Sequence, residues 1–207
     1  MKRVFFFVLF FTTFFSAAIA QYFPIDTARL NRTYRSLLQD TQSRELQMDF
    51  FNAFPNNWYE YYNTYKYCSK EGYDLSMYSK ANEHIQALEK CTTINDTLFC
   101  KKLIHLSVGA TLDTDAPNYL KEILHNTMES HECVFLYCLS QIMKGHQMQF
   151  WQFYWANAVY KEELEKEFKE LYNRNKEKYP RQMKIMSVAF EYFHNGILFM
   201  SDFNNLD

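Results

Sequence analysis

Two Glu-x-x-His pairs, Glu122/His125 and Glu191/His194, are the residues in this chain best spaced for chemistry. Di-iron four-helix proteins place one such pair on each of two helices and single Glu residues on the other two, all projecting into the core. Chain order permits that scheme, with Glu89 upstream and the Glu162 to Glu170 cluster between the pairs. Helical phase opposes it. Leu120, Ile123, Leu124 and Thr127 form an inward stripe that leaves Glu122 and His125, with Asn118 and Glu129, on the outer face. Met186, Phe190, Phe193 and Ile197 do the same for Glu191 and His194. A helix expected between Glu89 and Glu122 also breaks the consecutive-helix order. Both pairs read as solvated faces, and a metal-dependent or hydrolytic enzyme is the alternative.

Five cysteines leave at least one thiol unpaired within the chain. Cys91 and Cys100 flank a turn containing Asn95 and Asp96 and are the expected disulfide. Cys133 and Cys138 lie about 140° apart around a helix axis and cannot bridge each other; with Cys68 they read as buried apolar residues. A zinc site from His131, Cys133 and Cys138 lacks a second closely spaced ligand pair, and none of the thiols has a protease signature beside it. Asp113-x-Asp115-x-x-Asn118 opens like a calcium loop, but Pro117 intrudes, Asn118 replaces the glycine and Leu124 the bidentate Glu, so helix capping explains it. The chain has no Gly-x-Ser-x-Gly, His-Glu-x-x-His, Walker or dinucleotide motif, and no cofactor is called for. The carboxylates of residues 162–170 alternate with lysines, the pattern of a solvated helix face.

Aromatic clusters remain: Trp58-Tyr59-Glu60-Tyr61-Tyr62 and Phe150-Trp151-Gln152-Phe153-Tyr154-Trp155. Core packing accounts for most such residues, while a surplus suits sugar stacking or a protein-binding patch. Trp58, Tyr59, Tyr62, Trp151 and Trp155 are the candidate binding residues. Tyr59 and Tyr62 lie off the Trp58, Tyr61, Tyr65 stripe and are the ones expected at the surface.

These residues need elements to hold them, and composition says which. The chain has 207 residues, 20 Phe, 16 Tyr and three Trp, but only four glycines. So little glycine disfavours hairpins and phosphate-cradling loops and favours helices. The first twenty residues carry Lys2 and Arg3, an apolar run from Val4 to Phe15 and Ala18-Ile19-Ala20, the pattern of a secretory signal cleaved before Gln21. That run is too short to span a membrane, which takes ~20 apolar residues, and no later run approaches one. Gln21 stands where a lipoprotein would need Cys. With Lys2 and Arg3 removed from the 22 basic residues, 20 oppose 24 acidic ones, which disfavours nucleic acid as a partner.

Punctuation marks the helices. Asp26 or Thr27 starts the first; a second, with Leu46, Phe50, Phe51 and Phe54, stops at Pro55; Asn57 with Glu60 forms a capping box for a third. Gly72 marks a turn, Leu75 to Leu88 and Phe99 to Leu106 repeat with helical period, and Gly109 ends that stretch. Asp115 ahead of Pro117 starts the next, Ser130 is placed to cap a segment from Cys133 to Met143, and Gly145 closes it. Gln147 to Val159 is aromatic on most sides and reads as a central buried helix. An amphipathic helix follows from Lys161 to Lys178, with Leu164, Phe168 and Leu171 inward and Glu162/Lys166 and Glu165/Lys169 paired outward; a last one follows Pro180 and is interrupted at Asn195-Gly196.

Four blocks, Asp49 to Asn56, Leu75 to His84, Gly109 to Ala116 and Phe150 to Phe153, resemble a group of exported proteins of unknown function from gut anaerobic bacteria, over about residues 45–175. The resemblance implies export and a helical fold, and brings no activity, ligand or catalytic residue. Asp26-Thr27-Ala28 and Asp96-Thr97-Leu98 are similar to the O-glycosylation acceptor of such bacteria, although helix capping also explains both aspartates. The sequence is therefore read as a cleaved signal peptide over 1–20 and a single α-helical domain over 21–207, an irregular bundle of eight or nine helices. The expected function is a non-catalytic binding protein of the periplasm or cell surface, an immunity-type inhibitor being its specific form. Its expected partner is another exported protein or a glycan, with no nucleic acid and no integral membrane segment after signal cleavage.

Overall fold

The computed structural model describes residues 25–67, 76–112, 115–156 and 161–195. The expected signal, Cys68, Gly72, Asp113 and the tail from Gly196 lie outside the described residues, as do the side chains of Phe193 and His194. Ten helices and no strand occur among the described residues: α1 (Thr27–Gln39), α2 (Arg44–Ala53), α3 (Trp58–Tyr65), α4 (Ser76–Ser79), α5 (Ala81–Glu89), α6 (Asp96–Ser107), α7 (Asp115–Ser140), α8 (Lys144–Trp155), α9 (Lys161–Asn175) and α10 (Pro180–Asn195). The fold is all-α, and no described helix is long and apolar enough to cross a membrane.

Local chemistry sets most boundaries. Asp26 Oδ1 accepts from the Arg29 N–H at 2.8 Å to start α1, and Ser43 starts α2 in the same way. The Asn57/Glu60 box forms with a twist: Asn57 Oδ1 accepts from the Glu60 N–H at 3.0 Å, but the Glu60 carboxylate reaches the Asn56 backbone N–H at 2.8 Å. Asn95, not Asp96, caps α6, accepting from the Thr97 and Leu98 N–H groups. Gly109, at φ +78°, ends that region in the left-handed conformation expected of it.

Two boundaries differ from the sequence reading. Ser130 does not cap a new helix; its hydroxyl donates back to the Asn126 carbonyl at 2.8 Å, and the chain runs on as one helix kinked at His131 (φ −129°, ψ 31°). Gly145 does not close a helix but lies inside the first turn of α8.

One cluster of buried side chains runs through the described helices, with α8 at its centre. Phe150, Trp151, Phe153, Tyr154 and Trp155 are all buried. Around them, Phe135 of α7 meets Phe150, Trp58 of α3 meets Phe153, and Phe168 of α9 stacks on Phe190 of α10 at 4.2 Å with Trp155 edge-on to both. Buried polar groups tie the outer helices down. Gln47 of α2 donates to the Thr41 carbonyl and accepts from both the N–H and hydroxyl of Thr93, and the Tyr61 hydroxyl donates to the Ala116 carbonyl at 2.6 Å.

Candidate functional site

The densest polar arrangement lies where α7, α8 and α9 meet. Lys121 and His125 are one turn apart on α7 and face the C-terminal end of α8, whose last carbonyls have no partner within their own helix. His125 Nε2 lies 3.2 Å from the Tyr154 carbonyl oxygen, and the Lys121 ammonium donates to the Ala156 carbonyl. Cations at this negative helix end are favoured by the macrodipole. From α9, Glu167 Oε1 sits 3.2 Å from His125 Nδ1 and accepts the Tyr154 hydroxyl at 2.6 Å. The imidazole also stacks on the Tyr154 ring at 4.0 Å.

Each group is tuned by its neighbours. Burial alone would raise the Glu167 pKa, but hydrogen bonds from His125 and Tyr154 and the Lys121 charge outweigh it, and the carboxyl is held below its usual range. Burial, reinforced by Glu167, pushes the Tyr154 phenol well above its ordinary value, so it serves as a donor. Lys121 is brought down to about 8 by burial, with the Glu167 charge opposing the shift. Both His125 nitrogens face oxygens, a carbonyl and a carboxylate that only accept, so in this geometry both carry protons. A ring so placed offers no lone pair to a metal or a substrate proton.

Two clefts share this ridge. The larger, about 590 Å3, runs between α7 and α9 and is lined by Glu129, Glu132, Glu170 and Arg174 together with His125 and Glu167. Arg174 binds Glu132 at 2.7 Å, and Asn175 takes the second Glu132 oxygen at 2.7 Å. The two cations of the wall are thus matched by two carboxylates, and exposed Glu129 and Glu170 add two more on the rim. The second cleft, about 450 Å3, opens beside Lys121, Glu122 and Glu163.

The sequence candidates separate clearly. Glu122 is exposed as expected, but His125 is drawn to the α7–α9 junction instead of facing solvent, because α8 ends beneath it. Glu191 is exposed, on a helix remote in sequence, and the His194 side chain lies outside the described residues. Among the described residues no three His, Cys, Asp or Glu groups are placed to hold a metal. Trp151 (0% exposed) and Trp155 (1%) are core residues and present no binding surface. Tyr59 is 50% exposed, while Trp58 and Tyr62 are half-buried with their rings 5.6 Å apart.

Cys91 and Cys100 do flank the Asn95 turn, yet they are separate thiols in the structure. Cys91 Sγ lies 3.3 Å from the Ala87 carbonyl of its own helix, and burial pushes both thiols up to about 12, which leaves little thiolate for nucleophilic attack. Cys138 is buried as expected, but Cys133 is exposed, 3.7 Å from the Lys178 ammonium.

Three residues escaped the sequence reading. Glu167 was absorbed into a solvated face, although it borders the Leu164, Phe168, Leu171 stripe. His84 fits the inward spacing Ala81, His84, Ile85, Leu88, a signal that was available. Lys102 gave no signal: it is buried, donates to the carbonyls of Phe54 and Pro55 and to Asn56 Oδ1, and lies 4.5 Å from the centre of the Phe51 ring. No protein-family model, curated protein or solved structure matches this chain.

Proposed function

We propose that this protein is an exported, non-catalytic binding protein of a bacterial periplasm or cell surface, engaging a basic segment of another exported protein along the α7–α9 cleft. The observation that carries this reading is the cleft itself: about 590 Å3, with four carboxylates against one arginine and one histidine that are already ion-paired. A lysine or arginine side chain entering it meets Glu129 and Glu170 without displacing a resident cation. The acidic balance of residues 21–207 favours the same class of partner. An immunity-type inhibitor, masking the basic face of a secreted toxin, is the specific form. The doubly engaged His125 supports the non-catalytic reading over an enzyme built on Glu122 and His125.

The test is capture of the tagged chain from its host, with the mass of its N-terminus read in the same experiment, followed by titration of the purified protein with a synthetic lysine-rich peptide. A near-stoichiometric basic partner, lost in Glu129→Lys/Glu170→Lys and weakened by salt, supports the reading. Peptide binding unaffected by the double substitution overturns the cleft assignment, and an intact N-terminus overturns export.

A second reading rests on the aromatic surface of α3. Trp58, Tyr59 and Tyr62 offer ring faces suited to stacking on a sugar. Quenching of tryptophan emission by a glycan, abolished in Tyr62→Ala, is the result that favours it.

A further inference from the structure

His84 lies where four helices meet, and its ring is completely buried. Tyr34 of α1 covers it edge-on at 4.5 Å, Phe50 of α2 stands at 6.1 Å and Tyr65 of α3 at 5.9 Å. Nδ1 is 3.0 Å from the Tyr65 hydroxyl, and Nε2 has no hydrogen-bond partner among the described residues. A neutral ring tolerates this cage. A protonated ring does not, because both nitrogens then become donors, only the Tyr65 oxygen accepts, and a charge is enclosed by aromatic carbon.

The surrounding groups give the charge no relief. Lys80, one turn back on α5 and hydrogen-bonded to Asn31 Oδ1 of α1 at 2.8 Å, carries the same sign. Glu83, also on α5, has its carboxylate engaged by the Tyr34 hydroxyl at 3.3 Å. Burial, then Glu83, keeps the Tyr34 phenol protonated, burial does the same for Tyr65, and α2 contributes only the uncharged Phe50 ring.

The covering helix is weakly held. α1 contributes only Leu30 and Leu37 as fully buried side chains, and its polar ties to α4 and α5 are the Tyr34, Asn31 and Lys80 contacts, part-buried or exposed. By contrast α2 is fixed through Gln47 and through Lys102, and α8 is enclosed by the core. Local opening draws on the element with the fewest buried contacts.

We propose that α1 is an acid-released lid over His84: lifting it lets water reach the imidazole, the ring takes up a proton, and the lid cannot re-close over the charge. Burial, with the Lys80 charge, brings the enclosed ring down from 6.5 to about 4. As pH falls below 6.5 the open form therefore binds the proton first, so closure is fully favoured above that value, weakens through the window and levels off near 4. The opening equilibrium shifts by about two orders of magnitude across that span. What acid exposes is the apolar face around Phe50 and His84. The inference does not depend on the partner proposed for the α7–α9 cleft.

Amide hydrogen exchange of the purified protein at pH 7.5 and pH 4.5, corrected for the chemical exchange rate, reads the opening directly. Peptides from residues 27–39 are expected to lose protection by roughly 50- to 100-fold at the lower pH, while those from residues 144–155 keep theirs. His84→Phe, which keeps a ring in the cage and cannot be protonated, is expected to make α1 protection independent of pH. The wild-type His84 ring shift, followed by NMR, is expected to titrate below pH 5. Unchanged α1 protection at pH 4.5, an equal loss in every helix, the same loss in His84→Phe, or titration of the closed ring near 6.5 would each overturn the proposal.

Discussion

His125 shows how a residue suited to catalysis is consumed by structure. Its two nitrogens close the end of α8 and bind Glu167, so Glu167, rather than the sequence neighbour Glu122, is its working carboxylate. Because the Glu167 carboxyl is held below its ordinary 4.5, the unfolded chain takes up this proton first as pH drops past that value. Its contribution is present above pH 4.5 and is lost with further acid. Glu167→Gln is therefore expected to cost about 1 kcal/mol at pH 7, half-exposed as the group is, and to flatten the fall of melting temperature below pH 4.5. Lys102 gives a second test. Its removal leaves the Phe54 and Pro55 carbonyls and the Asn56 amide oxygen without their buried donor, and Lys102→Met is expected to cost about 1–3 kcal/mol. A lowered urea midpoint at unchanged slope checks it.

At the level of elements, two glycines carry opposite expectations. An added Cβ meets nothing within 4 Å at either Gly109 or Gly145, so backbone conformation alone decides. Gly109 occupies φ +78°, where Ala is strained, and Gly109→Ala is expected to destabilise by about 1 kcal/mol. Gly145 sits in the first turn of α8, where Ala restricts the unfolded chain without strain, and Gly145→Ala is expected to stabilise by about 0.5 kcal/mol. Thermal unfolding of the pair reads both signs. Caps at Asp26 and Asn57 were legible because each bond is local, made within three residues. The Ser130 cap was not, since a serine hydroxyl can bond forward to a helix N–H or back to the preceding turn, and packing on α6 and α8 chose the second.

For the whole molecule, burial divides the tryptophans. Acrylamide is expected to quench only the emission of Trp58, and Trp58→Phe to abolish the quenchable fraction, because Trp151 and Trp155 are enclosed by α7, α9 and α10. Quenching that survives the substitution would place α8 nearer the surface than the structure has it. The same packing creates the acidic cleft: Glu129 and Glu132 on α7 and Glu170 on α9 are distant in sequence and share a wall only because both helices dock beside α8.

The sequence by itself determined the helical class, most helix starts, the buried character of α8 and the exposure of Tyr59, since composition, period and capping act over a few residues. The tertiary structure alone decided that His125 belongs to Glu167 and the end of α8, that Lys102 and His84 are buried, and that Cys91 and Cys100 stand apart. Those outcomes depend on which helix ends and faces are brought together, and a charge or thiol acquires its chemistry from the water removed and the partner supplied by segments far along the chain.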